Sequence, residues 1–135
     1  MKTVNIVVGA LTVLLIIVFS SVGPRPEKAT PAYNPAAEVT VAGTVVETRE
    51  FFCPISDDQG MHVVLRTPQT VLLVHLAPSR FLRSQGFQFH SGDQLEVVGT
   101  RVNYQQQDAL LAREVTRGNE VLIVRDHQGR PLWMK

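Results

Sequence analysis

Cysteine is nearly absent from this 135-residue sequence, which contains only Cys53. One cysteine cannot form a disulfide within the chain, so a disulfide-stapled scaffold and a CxxC oxidoreductase are both excluded. The hydrophobic core must therefore be held together by packing. Cys53 keeps a free thiol, which the strand pattern places at the start of a long loop between the first two strands.

The sequence also has no large excess of charge of either sign, because it contains 13 Lys and Arg residues and 12 Asp and Glu residues. A protein that binds nucleic acid non-specifically needs surplus cations to displace counterions. Phe, Tyr and Trp are absent from the predicted second and third strands, which therefore offer bases no stacking surface. Nucleic-acid or oligosaccharide binding thus remains a minor alternative, for which a small basic edge is available from Arg66, Arg80, Arg83 and Arg101.

The motifs of common enzymes are missing as well. The sequence has no phosphate-binding loop, no HExxH and no serine in a nucleophile elbow. The pair Asp57 and Asp58 reads as solvated acids in a loop. We therefore predict a binding protein without catalytic residues rather than an enzyme.

Charge is absent from a long apolar run near the N-terminus, Val4 to Val22. Nineteen residues of helix span roughly 28 Å, about the thickness of the hydrocarbon core of a bilayer. With Lys2 as a basic flank, residues 1–23 predict a signal anchor in a bacterial inner membrane with the domain on the periplasmic side. A signal peptide that is cleaved to release the domain into the periplasm is the alternative.

Residues 24–37 follow as a linker that contains four prolines and is expected to be an extended tether. Tyr33 is its only aromatic residue and is expected to touch the surface of the domain. Residues 38–135 then form a single domain of ordinary size.

The domain pattern predicts an all-β fold. Runs rich in Val, Leu and Thr predict strands at Val39–Thr48, Met61–Arg66, Val71–Ala77, Gln94–Tyr104, Ala109–Thr116 and Glu120–Arg125. A short helix is predicted over Ser79–Gln85, with Ser79 as N-cap and Gly86 after its end. One short helix between the third and fourth strands indicates a five- to six-stranded OB-type barrel rather than a β-sandwich.

The histidines provide the sharpest prediction. If the loop after Arg66 has an even number of residues, His62 lies directly opposite His75, close enough for both rings to share a metal ion. Alternation places His62, Val64, Arg66, Val71, Leu73 and His75 on a mixed, partly exposed face that would bind a ligand. Two ligands are too few for structural zinc, so a third from Cys53, Asp57 or Asp58 would be needed.

Two segments, VHLAPSRFLRSQGFQFHSGDQLEVVGTRV and ALLAREVTRGNEVLIVRDHQGRPLW, resemble a family of small exported bacterial OB-fold proteins over about residues 39–133. The architecture is also distantly similar to periplasmic OB-fold stress proteins and to the haem chaperone of cytochrome c maturation. The haem chaperone has a histidine after its last strand and a tyrosine four residues later. Here the residue four positions after His127 is Pro131 rather than tyrosine, so that motif is absent.

The sequence thus leaves three functions open. The first is a non-enzymatic OB-fold module, outside the cytoplasm, that binds a protein or small molecule on the face of the second and third strands. The second is a periplasmic metal- or haem-handling protein that uses His62 and His75. The third is an oligosaccharide- or nucleic-acid-binding domain.

Overall fold

The computed structural model describes residues 31–134, so the predicted export segment and the first half of the linker lie outside the described residues. Within residues 31–134, no helix is long and apolar enough to cross a bilayer. Tyr33 contacts the domain as expected, since its hydroxyl donates to Glu38 Oε1 at 2.6 Å. The linker ends in a 3₁₀ helix, Pro35–Ala37, a turn that the sequence did not predict.

The described residues form six strands and one short α-helix. The strands are β1 (Glu38–Cys53), β2 (Asp58–Arg66), β3 (Val71–Pro78), β4 (Gln94–Tyr104), β5 (Gln107–Arg117) and β6 (Glu120–Ile123). Helix α1 (Ser79–Ser84) lies between β3 and β4. The all-β composition and the position of the helix are therefore as predicted.

The strands form one sheet in the order β3-β2-β1-β4-β5-β6, with antiparallel neighbours. β1 is shared between two partners, because residues 38–44 pair with β4 and residues 44–53 pair with β2. β3 also pairs in parallel with β5, where Leu73–His75 lie beside Ala109–Leu111. One face of every long strand thus turns inward onto a common core.

Two glycines permit close strand contacts at the bends. A Cβ on Gly43 would meet the carbonyl oxygen of Arg66, and a Cβ on Gly99 would meet that of Leu111. Gly99 lies at a register shift in the β4–β5 pairing. The β1–β2 pairing also has a register shift close to Gly43, between Val45 and Glu47.

The core matches the predicted apolar face of β2 and β3. The side chains on this face are all buried, namely Val63, Leu65, Leu72, Val74 and Leu76. Trp133, in the C-terminal segment, packs against the same core.

Helix α1 begins differently from the prediction. Its N-cap is Pro78, because β3 runs without a break into the helix, and Ser79 is already in the first turn. The Ser79 hydroxyl is buried without a hydrogen-bond partner, so the prediction of Ser79 as N-cap was wrong. The C-terminal end is as predicted, since Gly86 has φ +66° and its N–H donates to the Arg83 carbonyl.

The long loop predicted after the first strand is mostly strand. β1 continues to Cys53 and β2 begins at Asp58, leaving the four-residue turn 54–57. Residues 46–52 are all exposed, so this part of β1 lacks the alternation of buried and exposed residues from which a strand is predicted. Backbone pairing of Glu47–Cys53 with Asp58–Val64 holds it in place.

We predict that Gly99→Ala lowers the free energy of unfolding of the full-length chain in detergent by about 1–3 kcal/mol, because its methyl group collides with backbone rather than with a movable side chain. Chemical denaturation would measure the loss. Glu96→Ala, at an exposed position of the same strand, is the control and should change stability by less than about 0.5 kcal/mol. Equal stability of the two variants would contradict the prediction.

Candidate metal centre

His62 and His75 are direct cross-strand neighbours in the β2–β3 pairing. The loop between these strands has four residues, 67–70, as the sequence predicted, and this length fixes the register. His62 Nε2 lies 3.0 Å from His75 Nδ1, and the ring planes are at 86°. One nitrogen of each imidazole therefore lies within hydrogen-bond distance of the other ring.

Both histidines are buried, which corrects the prediction of a partly exposed pair. His62 is 1% exposed and His75 is 5% exposed. Phe51, on the extended end of β1, stacks on the His62 ring at 3.9 Å between centroids. Tyr104, at the end of β4, meets His75 edge-on at 5.5 Å, so side chains from two other strands cover the pair.

The remainder of the predicted face stays open to solvent. Val64 and Leu73 are half-buried, whereas Arg66 and Val71 are exposed. Part of this face lines a groove of about 320 Å³ together with Arg49 and Asp108. The structure thus divides the predicted ligand face into a covered histidine pair and an open groove.

Cys53 completes the cluster. It is the last residue of β1 rather than the first residue of a loop, and it is 3% exposed. Its Sγ lies 3.5 Å from His75 Nδ1. One potential ligand atom from each of Cys53, His62 and His75 lies within 4.8 Å of the other two.

Gly60 leaves the space in which these side chains meet. A Cβ at Gly60 would lie 2.9 Å from Cys53 Cβ and 3.1 Å from His62 Cε1. Two acidic residues were alternative candidates for the third ligand. Among the described residues, neither belongs to the cluster of Cys53, His62 and His75. Asp57 forms the turn with φ 52°, and Asp58 pairs with Arg80 at 2.7 Å.

Burial keeps both rings neutral at physiological pH. Desolvation lowers the pKa of His62 from 6.5 to about 4, although the backbone of Gly60 and of Arg49 partly opposes the shift. Desolvation also lowers the pKa of His75 to about 4, with further lowering by the nearby His62 and Arg125. A neutral imidazole has a free lone pair, which is the form that binds metal.

Hydrogen bonding leaves part of the pair unsatisfied. His62 Nδ1 and His75 Nε2 are buried and have no partner within residues 31–134 that meets hydrogen-bond geometry. When one neutral ring donates to the other across 3.0 Å, one outer nitrogen carries a proton and the other is bare. A pair that served only to fill the core would be expected to satisfy these groups.

A cavity of about 10 Å³, roughly the space of one water molecule, borders the cluster. Arg125 and Trp133 line it together with Cys53 and both histidines. Arg125 is 7% exposed, and burial lowers its pKa. Its Nη1 donates to the Gly129 carbonyl at 2.9 Å, and its guanidinium lies over the Tyr33 and Trp133 rings.

Sequence reasoning missed three residues of this site, Phe51, Tyr104 and Arg125. Arg125 follows the buried Val124, so strand alternation places it on the outer face, yet it is buried. Phe51 lies in a part of β1 that has no alternating pattern. The other two histidines, His90 and His127, are exposed.

We predict that acid destabilises the metal-free protein between about pH 6.5 and pH 4. In this range the unfolded histidines bind protons whereas the folded ones, with pKa about 4, do not. The free energy of unfolding should thus fall as pH falls, by up to about 1.4 kcal/mol per pH unit for each histidine, and level off below pH 4.

Urea denaturation of the full-length chain at several pH values would measure this slope. The double variant His62→Gln, His75→Gln should lose most of it, whereas the exposed pair His90→Gln, His127→Gln should keep it. Equal slopes in the two double variants would contradict the prediction.

Comparison with solved structures supports an OB-fold-like β structure. The N-terminal domain of the PriB protein from Thermoanaerobacter tencongensis, solved as a dimer, superimposes with a TM-score of 0.50 at 16% sequence identity. The match covers 63% of this chain and 99% of that chain. At this identity the likeness concerns the fold alone.

Sequence comparison with curated proteins gives no match. A family model does match residues 37–122, which span β1 to β5 and most of β6 and include Cys53, His62 and His75. The matched region covers well over half of the sequence. This chain therefore belongs to the MamS/MamX magnetosome protein family.

Proposed function

We propose that this chain is a non-enzymatic binding module whose Cys53, His62 and His75 bind one transition metal ion. The observation that carries the proposal is the convergence of one sulfur and two nitrogen atoms within 4.8 Å, from three strands, in a buried site. Ligand atoms at 2.0–2.3 Å from a shared ion in tetrahedral geometry lie about 3.3–3.6 Å apart. The contacts of 3.0 and 3.5 Å in the cluster are close to those values.

The chemistry of the ligands fits the proposal. Both imidazoles are neutral and need lose no proton, because burial holds their pKa values near 4. On binding, the S–H bond of Cys53 breaks, the sulfur binds the ion, and the proton leaves to solvent. The adjacent cavity leaves room for one small further ligand.

The site favours a bare ion over haem. The cavity at the cluster holds about 10 Å³, and aromatic rings cover both histidines. Haem would require these rings to move apart. His127, at the position that resembled the attachment site of the haem chaperone, lies in an exposed turn, and residue 131 is proline rather than the tyrosine of that motif.

We place the module outside the cytoplasm of a bacterial cell, tethered by residues 1–23 to the inner membrane or released after cleavage. The apolar run Val4–Val22 supports this placement. We further propose that the strands form a five-stranded OB-type barrel with β6 appended, since β3 pairs with both β2 and β5. The open groove beside Val64 and Leu73 then offers a surface for a protein or small-molecule partner.

Metal titration of the full-length, metal-stripped chain in detergent tests the proposal. We expect native mass spectrometry to show one bound ion per chain after incubation with Cu(I) under anaerobic conditions, Zn(II) or Co(II). Cys53→Ser, His62→Gln and His75→Gln should each weaken binding at least tenfold, because each removes one of three ligands. A bound ion should also raise the unfolding temperature, by an amount that grows with the logarithm of the ion concentration above the dissociation constant.

The matched control is the double variant His90→Gln, His127→Gln, which removes two exposed imidazoles and should bind as the wild type does. Circular dichroism of each variant would verify that the β structure is retained. A folded wild-type chain that binds none of the ions, or that binds them equally well without Cys53, would overturn the proposal.

A further inference from the structure

Arg125 is a buried cation without a buried anion. Among residues 31–134, no carboxylate lies within ion-pair distance of its guanidinium. Arg113 is buried to the same degree but pairs with Glu38 and Glu114. Burying a charge without a counter-charge lowers the stability of the fold. A negative group beside Arg125 would therefore be stabilising.

The cavity that Arg125 lines supplies one such group. Cys53 is the only residue on its wall that would carry a negative charge when bound to a metal ion, because the other residues lining it include no Asp, Glu or Tyr. The negative charge of a Cys53 thiolate would cancel the positive charge of Arg125. The net charge of the occupied site would then equal the charge of the bound ion. A monovalent ion leaves this buried site with one net positive charge, whereas a divalent ion leaves it with two.

The ligand types point in the same direction. Thiolate and imidazole are soft or borderline ligands, and the cavity wall offers no carboxylate to a hard ion. Zinc in structural sites takes four protein ligands, whereas this cluster has three. Met61 also lines the cavity and carries a thioether, a soft group of the kind that favours Cu(I).

We infer that the ion for which this site is built is monovalent copper, Cu(I), and that the positive charge of Arg125 selects it over Zn(II). The inference rests on the proposed function, since it names the ion that the cluster of Cys53, His62 and His75 would hold. Arg125 acts here as a selectivity residue that does not itself bind the metal. Coulomb repulsion scales with ion charge, so the same arginine opposes a divalent ion twice as strongly as a monovalent one.

Competition titrations of the full-length, metal-stripped chain in detergent test this inference. Cu(I) affinity is measured anaerobically against a copper(I) chelator, and Zn(II) affinity against a zinc chelator, for wild type, Arg125→Gln and Arg125→Lys. Arg130→Gln, at an exposed arginine of the same segment, is the matched control. From an equimolar mixture the wild type should take up Cu(I).

If Arg125→Gln raises the affinity for Cu(I) about tenfold, it should raise that for Zn(II) about a hundredfold, because the removed repulsion doubles with the ion charge. Arg125→Lys keeps the charge and should keep the wild-type ratio, as should Arg130→Gln. Equal gains for the two ions would overturn the role of Arg125. Preferential uptake of Zn(II) by the wild type, a result that needs no variant, would overturn the choice of Cu(I).

These outcomes are distinct from failure of the proposed function. A wild-type chain that binds neither ion would remove the metal centre altogether. A chain that binds both ions at Cys53, His62 and His75 but prefers Zn(II) would retain the metal centre and reject the inference about copper. Circular dichroism would report whether Arg125→Gln folds, and the wild-type competition decides the ion if it does not.

Discussion

The antiparallel pairing of β2 with β3 is the interaction on which the site depends. It is set by the four-residue loop 67–70 and places His62 opposite His75 while Val63, Leu65, Leu72 and Val74 face the core. A shift of β3 by one residue along β2 would turn His75 toward the apolar core and would turn Leu72 and Val74 away from it. The hydrophobic alternation of the two strands therefore holds the two histidines opposite each other, in addition to the contact between their rings.

β1 gives that pair its surroundings. This strand is long enough to pair with β4 through its first part and with β2 through its second. Its last residues bring Phe51 onto the His62 ring and Cys53 beside His75, and β4 contributes Tyr104 from the other side. The cluster is thus an outcome of sheet topology, and its three potential ligands come from three separate strands.

The two buried arginines differ in whether carboxylates neutralise their charge. Arg113 has Glu38 as a close partner and Glu114 beside it, and the Tyr33 hydroxyl donates to the same Glu38 carboxylate, so this network is largely neutralised. Arg125 instead donates to the Gly129 carbonyl and lies over the rings of Tyr33 and Trp133. These contacts stabilise the guanidinium without neutralising its charge. The first arrangement ties the linker end to β5, whereas the second leaves a positive charge beside the cluster of Cys53, His62 and His75.

Local pattern in the sequence determined much of the fold. The strand cores, the short helix between β3 and β4, the core face of β2 and β3, and the cross-strand position of His62 and His75 all follow from alternation, turn residues and loop length. The apolar run Val4–Val22 likewise predicts export from residue type alone. The tertiary structure decided the burial of the histidines, the recruitment of Cys53 in preference to Asp57 or Asp58, and the position of Arg125. These features depend on contacts between residues of different strands and segments, such as Cys53 with His75 and Arg125 with Tyr33. No periodic pattern within one strand records which side chain of another strand will cover it.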